Sequence, residues 1–116
     1  MNREDNHVFS IHFTEEFNKC LDKIQAFFSD QGEDVLEWWF LKEDNMIDEI
    51  NRLLSSFPYA GKEVGQGEFK GFRCLTYGKS QHRMLNYIVF YKVYESDKII
   101  DVINILPSRS KRGRIR

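Results

Sequence analysis

The sequence predicts an α+β fold, with an N-terminal strand and an antiparallel helix hairpin packed on a C-terminal antiparallel sheet, in the order β-α-α-β-β-β. Three observations predict it. Between residues 14 and 57 large apolar side chains recur at three- and four-residue spacing, the period of an amphipathic helix. Beyond residue 71 that period gives way to runs rich in β-branched and aromatic residues, separated by polar turns. Between the two regimes, residues 59–71 hold four glycines and little periodicity, which predicts a loop. At 116 residues the chain fits one domain, 1–116, with a core over about 8–110 and a basic tail at 111–116.

The first element rests on alternation: Phe9, Ile11 and Phe13 against Ser10 and His12 predict a half-buried strand over residues 8–13. Thr14 then reads as an N-cap, with Glu15 and Glu16 in the first turn, where the helix dipole favours negative charge. Phe13, Phe17, Leu21, Ile24 and Phe28 form the apolar stripe, Cys20 and Phe27 widen it, and Gly32 is the expected stop. Asp34 and Glu37 have the spacing of a capping box and open a second helix over residues 35–56. Leu36, Trp39, Phe40, Ile47, Ile50, Leu54 and Phe57 follow helical spacing, while Trp38 and Leu41 broaden the early turns beyond one stripe. The polar stretch 42–45 is where this helix would loosen, and Pro58 ends it. Three strands are expected over residues 72–77, 84–94 and 98–106, as an antiparallel meander. The middle one is apolar on both parities, which places it in the centre of the sheet. Pro107 stops the last.

Hydrophobic residues at 41% and aromatics at 15% suffice for a core. No apolar run approaches the ~20 residues of a bilayer helix, and the polar start has no signal-peptide core behind it, so a cytoplasmic protein without a membrane partner is expected. Cys20 and Cys74 lack partner spacing and read as small buried apolar residues. The net charge of −1 conceals a division. Residues 1–60 carry five Lys/Arg against thirteen Asp/Glu, a net of −8, and residues 61–116 carry twelve against five, a net of +7. The acidic half reads as scaffold and the basic half as a surface for an anionic partner, unless the two halves simply attract each other.

The inventory of chemistry is short. His7, His12 and His82 are scattered without carboxylate or thiol at ligand spacing, so neither metal nor cofactor is expected. There is no nucleophile elbow, and the glycine-rich stretch lacks the Gly-Lys-Ser/Thr ending of a phosphate loop. What remains is cations. Arg73 lies inside a strand, where it either pairs with a helix carboxylate or meets a partner. Lys79, His82 and Arg83 surround a hairpin turn, where charge is either solvated or functional. Arg109 lies just beyond the final strand, where a residue is both positioned and exposed. The tail has five Lys/Arg in residues 109–116, including Lys111 and Arg112; it is either a solubilising terminus or an arm for an anionic partner.

Five segments in this order resemble the RelE/ParE superfamily of bacterial type II toxins: residues 9–17, residues 47–61 with their Phe57-Pro58-Tyr59-Ala60-Gly61 turn, residues 72–75, residues 87–93, and residues 99–106 with Arg109 after them. The resemblance covers about residues 8–110. It implies a toxin neutralised by a cognate antitoxin. Two activities occur in the superfamily: RelE-like members cut mRNA on the ribosome with a cluster of cations and an acid/base pair, and ParE-like members block DNA gyrase. In RelE-like enzymes a basic residue follows the tyrosine that begins the central strand, whereas here Ile88 follows Tyr87, as in ParE-like members. Arg73 and Arg109 match positions often basic across the superfamily, and Lys92 stands where ParE-like chains usually carry Arg. The ParE-like reading therefore assigns partner or nucleic-acid contacts to Arg73, Lys79, Lys92, Arg109, Lys111 and Arg112. The RelE-like reading makes His82, Arg83 and Arg109 catalytic. A basic binding module that is no toxin is the third reading.

Overall fold

Thr14 decides where strand becomes helix. Its extended backbone ends β1 (Ser10–Phe13), and its hydroxyl accepts from the Phe17 N–H at 3.2 Å to cap α1 (Glu15–Ser29). The same hydroxyl donates to the Val102 carbonyl at 3.0 Å, and the Thr14 N–H donates to that carbonyl at 3.1 Å, so one residue starts the helix and fastens it to the far end of the chain. In this computed structural model, which describes residues 8–77 and 87–107, α2 (Glu33–Ser56) follows directly and lies antiparallel on α1. Phe28 stacks on Trp39 with ring centroids 5.5 Å apart and meets Trp38 edge-on at the same separation. After α2 come β2 (Lys62–Glu63), β3 (Arg73–Tyr77), β4 (Tyr87–Tyr94) and β5 (Ile99–Pro107).

The strands form one sheet in the order β1-β5-β4-β3-β2, with β1 parallel to β5 and the other neighbours antiparallel. β4 is the central strand, as its two-sided apolar pattern requires, and residues 87–91 are all buried. Tyr87, Val89 and Tyr91 face the helices and join Phe17, Trp39, Met46, Ile50 and Leu54 in the main core. Ile88 and Phe90 face the other way, into a second cluster with Cys74 and Leu106 that Val64 and Phe69 cover. The Phe69 ring stacks on Phe90 at 4.1 Å. Both cysteines are free and buried.

The structure corrects several expectations. α1 ends at Asp30, whose N–H donates to the Phe28 carbonyl, and Gly32 does not stop α1 but opens α2, at φ +122°, a conformation open to glycine. The Asp34–Glu37 capping box is not used, since α2 starts ahead of it without a side-chain cap. The helix runs unbroken through residues 42–45, because Met46 and Trp39 anchor its inner face on both sides of the polar stretch. The glycine-rich stretch is not all loop: its residues Lys62 and Glu63 pair with Cys74 and Arg73 as a short edge strand. β4 opens at Tyr87 where the expected strand began at residue 84; residues 84–86 lie outside the described residues.

β5 carries one extra residue opposite the Phe90–Tyr91 step, so Phe90 faces Asn104 while Tyr91 faces Val102. Such a bulge bends the strand and redirects side chains. Here it turns two consecutive residues towards α1: Asn104, which accepts a hydrogen bond from the Cys20 thiol at 3.3 Å, and Ile105, which enters the main core.

Replacing Thr14 with Ala removes the cap and the tie to β5 together, and should cost about 1–2 kcal/mol in urea unfolding. Thr14→Ser, which keeps the hydroxyl, should recover most of the loss.

Candidate functional site

Two of the expected contact residues, Arg73 and Lys92, lie among the described residues, and the strand pleat separates them. Arg73 is opposite Tyr91, so it shares the helix side of the sheet, whereas Lys92 takes the helix-free side. They do not form one binding surface. Lys79, His82, Arg83, Arg109, Lys111 and Arg112 lie outside the described residues.

Arg73 is committed to the fold. Its Nε and Nη2 donate to the Gly61 carbonyl at 3.1 and 2.8 Å, and its guanidinium lies 5.1 Å from the centre of the Tyr59 ring. The helix carboxylate expected as its partner is replaced by a backbone oxygen. Gly61 also donates its N–H to the Tyr91 hydroxyl oxygen at 2.8 Å. A Cβ at Gly61 would come within 2.4 Å of the Cys74 carbonyl oxygen and 2.8 Å of the Tyr91 hydroxyl, so only glycine lets the chain leaving α2 pass this close to the sheet. The Tyr59 hydroxyl donates to the Glu95 carboxylate, which holds the phenol above its ordinary pKa. Together Tyr59, Gly61, Arg73 and Tyr91 clasp the end of the helix hairpin to the middle of the sheet.

On the helix-free side, Lys92 is exposed with its Nζ 5.9 Å from the centre of the Phe72 ring and 5.4 Å from that of Tyr94. Across the strands lie Asp101 and then His12, whose Nδ1 is 3.0 Å from the Asp101 carboxylate. Nearer the sheet centre this side is apolar. Ile88, at the position where a cation would distinguish an RNA-cutting relative, is buried beside Phe90, Cys74 and Leu106.

A third feature is a groove of about 890 Å³ between α1, the start of α2 and the paired ends of β4 and β5. Its rim includes Phe27, 59% exposed, and Trp38, and its floor includes Tyr87, Asn104 and Ile105. Tyr87 and Asn104 are the polar groups on that floor, 1% and 6% exposed. The Tyr87 hydroxyl has no hydrogen-bond partner among the described residues, and burial pushes it up to about 12. The sequence held a signal for the rim: Phe27 beside Phe28, and the run Trp38-Trp39-Phe40-Leu41, supply more aromatic and aliphatic surface than one helix stripe can bury.

Residues 11–112 match the family model described as the ParE toxin of type II toxin-antitoxin system, parDE. The chain belongs to this family. It is thus a type II toxin-antitoxin toxin, a member of the wider RelE/ParE group that the order of its elements resembled. Solved structures share the fold. A chain of the chromosomal ParDE TA system from P. aeruginosa has 17% identity and a TM-score of 0.60, covering 85% of the toxin and 95% of that chain. A chain of the toxin-antitoxin complex RelBE2 from Mycobacterium tuberculosis has 14% identity and a TM-score of 0.54, covering 92% and 94%. No curated protein matches the sequence.

Two outcomes test the local chemistry. Gly61→Ala should destabilise the toxin by about 1–3 kcal/mol in chemical denaturation, because backbone and a core tyrosine occupy the space. Because the folded pKa of Tyr87 lies above the ordinary 10, its contribution to stability is complete below that pH and is lost as the pH rises towards about 12. Tyr87→Phe should flatten that alkaline limb in melts recorded between pH 9 and 12.

Proposed function

We propose that this toxin acts by binding an essential target such as DNA gyrase, without cutting RNA, and that a cognate antitoxin neutralises it by occupying the groove between α1 and β5. The observation that carries the first part is the burial of Ile88. Phosphoryl transfer needs cations beside the reacting phosphate and an acid/base pair within reach of it. Here the centre of the helix-free side holds Ile88, Phe90, Cys74 and Leu106 under a cover of Val64 and Phe69. Contacts to the target fall to Lys92 on the open side and to the basic residues Lys79, Arg109, Lys111 and Arg112. Arg73, tied to the Gly61 carbonyl, supports that surface from within.

The second part rests on shape and charge. The groove is apolar, and its exposed aromatics suit the face of an amphipathic segment. Tyr87 and Pro107, paired in register, both line it, and the sequence continues from them into residues 78–86 and 108–116. Those stretches hold two and five Lys/Arg and no acid. An acidic segment suits a sequence of that charge.

Purified toxin in modest molar excess should inhibit gyrase supercoiling, and unimpaired supercoiling would sink the first part. Primer extension on translated mRNA is the counter-test, since codon-linked cuts lost in Arg109→Ala would establish the nuclease, with His82 and Arg83 as its further candidates. For the groove, the protein encoded by the adjacent reading frame should rescue growth on co-expression and bind the toxin directly. Phe27→Glu should weaken that binding more than about tenfold, because it places a charge against the apolar face of the partner.

A further inference from the structure

The floor of the groove differs from its walls. Apolar surface attracts any apolar segment, but Tyr87 and Asn104 carry polar hydrogens that the fold leaves unused among the described residues. The Cys20 thiol, a weak donor, points its hydrogen at the Asn104 amide oxygen at 3.3 Å, which sets that oxygen towards α1. The two amide hydrogens of Asn104 then have no partner among the described residues, and the residue lines the groove. The Tyr87 hydroxyl stands on the same floor without one. In the open groove, water serves both groups. An occupant that expels that water must replace its hydrogen bonds or leave buried donors stranded, a loss larger than the gain from a hydrogen bond made. This asymmetry is how a polar group in an apolar site rejects a wrong partner.

We propose that Tyr87 and Asn104 are specificity-determining residues that require a hydrogen-bond acceptor, a side-chain amide or carboxylate oxygen, on the apolar antitoxin segment that fills the groove. The proposal rests on the groove being the antitoxin site, and adds what chemistry the site reads there. Burial keeps the Tyr87 phenol protonated throughout the physiological range, so it remains a donor under any condition in which the complex forms. The bulge in β5 is what brings Asn104 to this floor beside Ile105; in a regular strand one of these two neighbours would face away.

The test uses the full toxin and the protein encoded by the adjacent reading frame, with affinities measured by calorimetry. Tyr87→Phe and Asn104→Leu should each weaken binding by roughly fivefold to thirtyfold. An alanine scan of the antitoxin should find one acceptor residue whose loss weakens binding to the wild-type toxin and has no further effect on Tyr87→Phe or on Asn104→Leu. The double variant should accept an antitoxin with Leu at that acceptor about as tightly as the wild-type pair bind. Tyr87→Phe keeps the core ring, and thermal melts at neutral pH confirm that each variant is folded. The side-chain amide resonance of Asn104 gives a second readout in the wild-type protein and should move downfield on complex formation. Unchanged affinity in both single variants, while Phe27→Glu still weakens binding, overturns the acceptor requirement and leaves the groove as the docking site. No effect of Phe27→Glu overturns both.

Discussion

The first five residues of strand β4 have no wet face. Residues 87–91 are all buried, so a sheet of this small protein must be covered on both sides, and the remaining elements are arranged by that demand. The helix hairpin covers one side through Phe17, Trp39, Met46, Ile50 and Leu54. The other side receives the chain between β2 and β3, with Phe69 laid flat on Phe90. Joining the two covers requires the backbone to cross from the end of α2 to the sheet edge, and it does so at Gly61, against the Cys74 carbonyl and the Tyr91 hydroxyl. One local conflict remains: the Trp39 indole N–H is buried without a partner among the described residues, which costs about 1–3 kcal/mol that the packing of its ring against Phe28 and Tyr87 has to outweigh.

How much of this was legible follows from how local each determinant is. Thr14, the α1 stripe, the length of α2 and the central position of β4 are written in neighbouring residues, and each was read from them. The roles of Gly32 and Asp34 were misjudged because a glycine between helices can stop one or start the next, and only the turn geometry chooses. β2 was hidden because two exposed residues form a strand only when β3 lies beside them. For Arg73 the strand position was right and the partner wrong, since a carbonyl twelve residues earlier leaves no pattern in charge. The lining of the groove was not legible: Phe27 was read into the packed stripe of α1 and is instead 59% exposed on the rim, and Tyr87 and Asn104 meet there only through a bulge that periodicity does not reveal.

The resulting division of the molecule bears on how a toxin of this family is restrained. The clasp of Tyr59, Gly61, Arg73 and Tyr91 spends polar and cationic groups on structure, whereas the groove leaves apolar surface and two donor groups without a partner among the described residues. Shape and hydrogen bonding then converge on the end of the β4–β5 pair where Tyr87 meets Pro107. A partner seated there would contact both helices and both strands together, and would stabilise the folded toxin by mass action as well as cover it.

The parallel pairing of β1 with β5 also sets an order of events during synthesis. Among the described residues β1 pairs with no other strand, and its register joins Ser10 to Ile99 and Phe13 to Val102, across most of the length of the chain. Contacts so distant in sequence are slow to form, because a long loop must close before any bond rewards it. Until β5 has left the ribosome, β1 has no strand to pair with, Thr14 has no Val102 carbonyl to hold, and β4 lacks one of its flanking strands. The groove floor is equally incomplete, since Asn104 and Ile105 belong to the last strand made. A partner that docked in the groove would therefore find its floor only after β5 had joined the sheet.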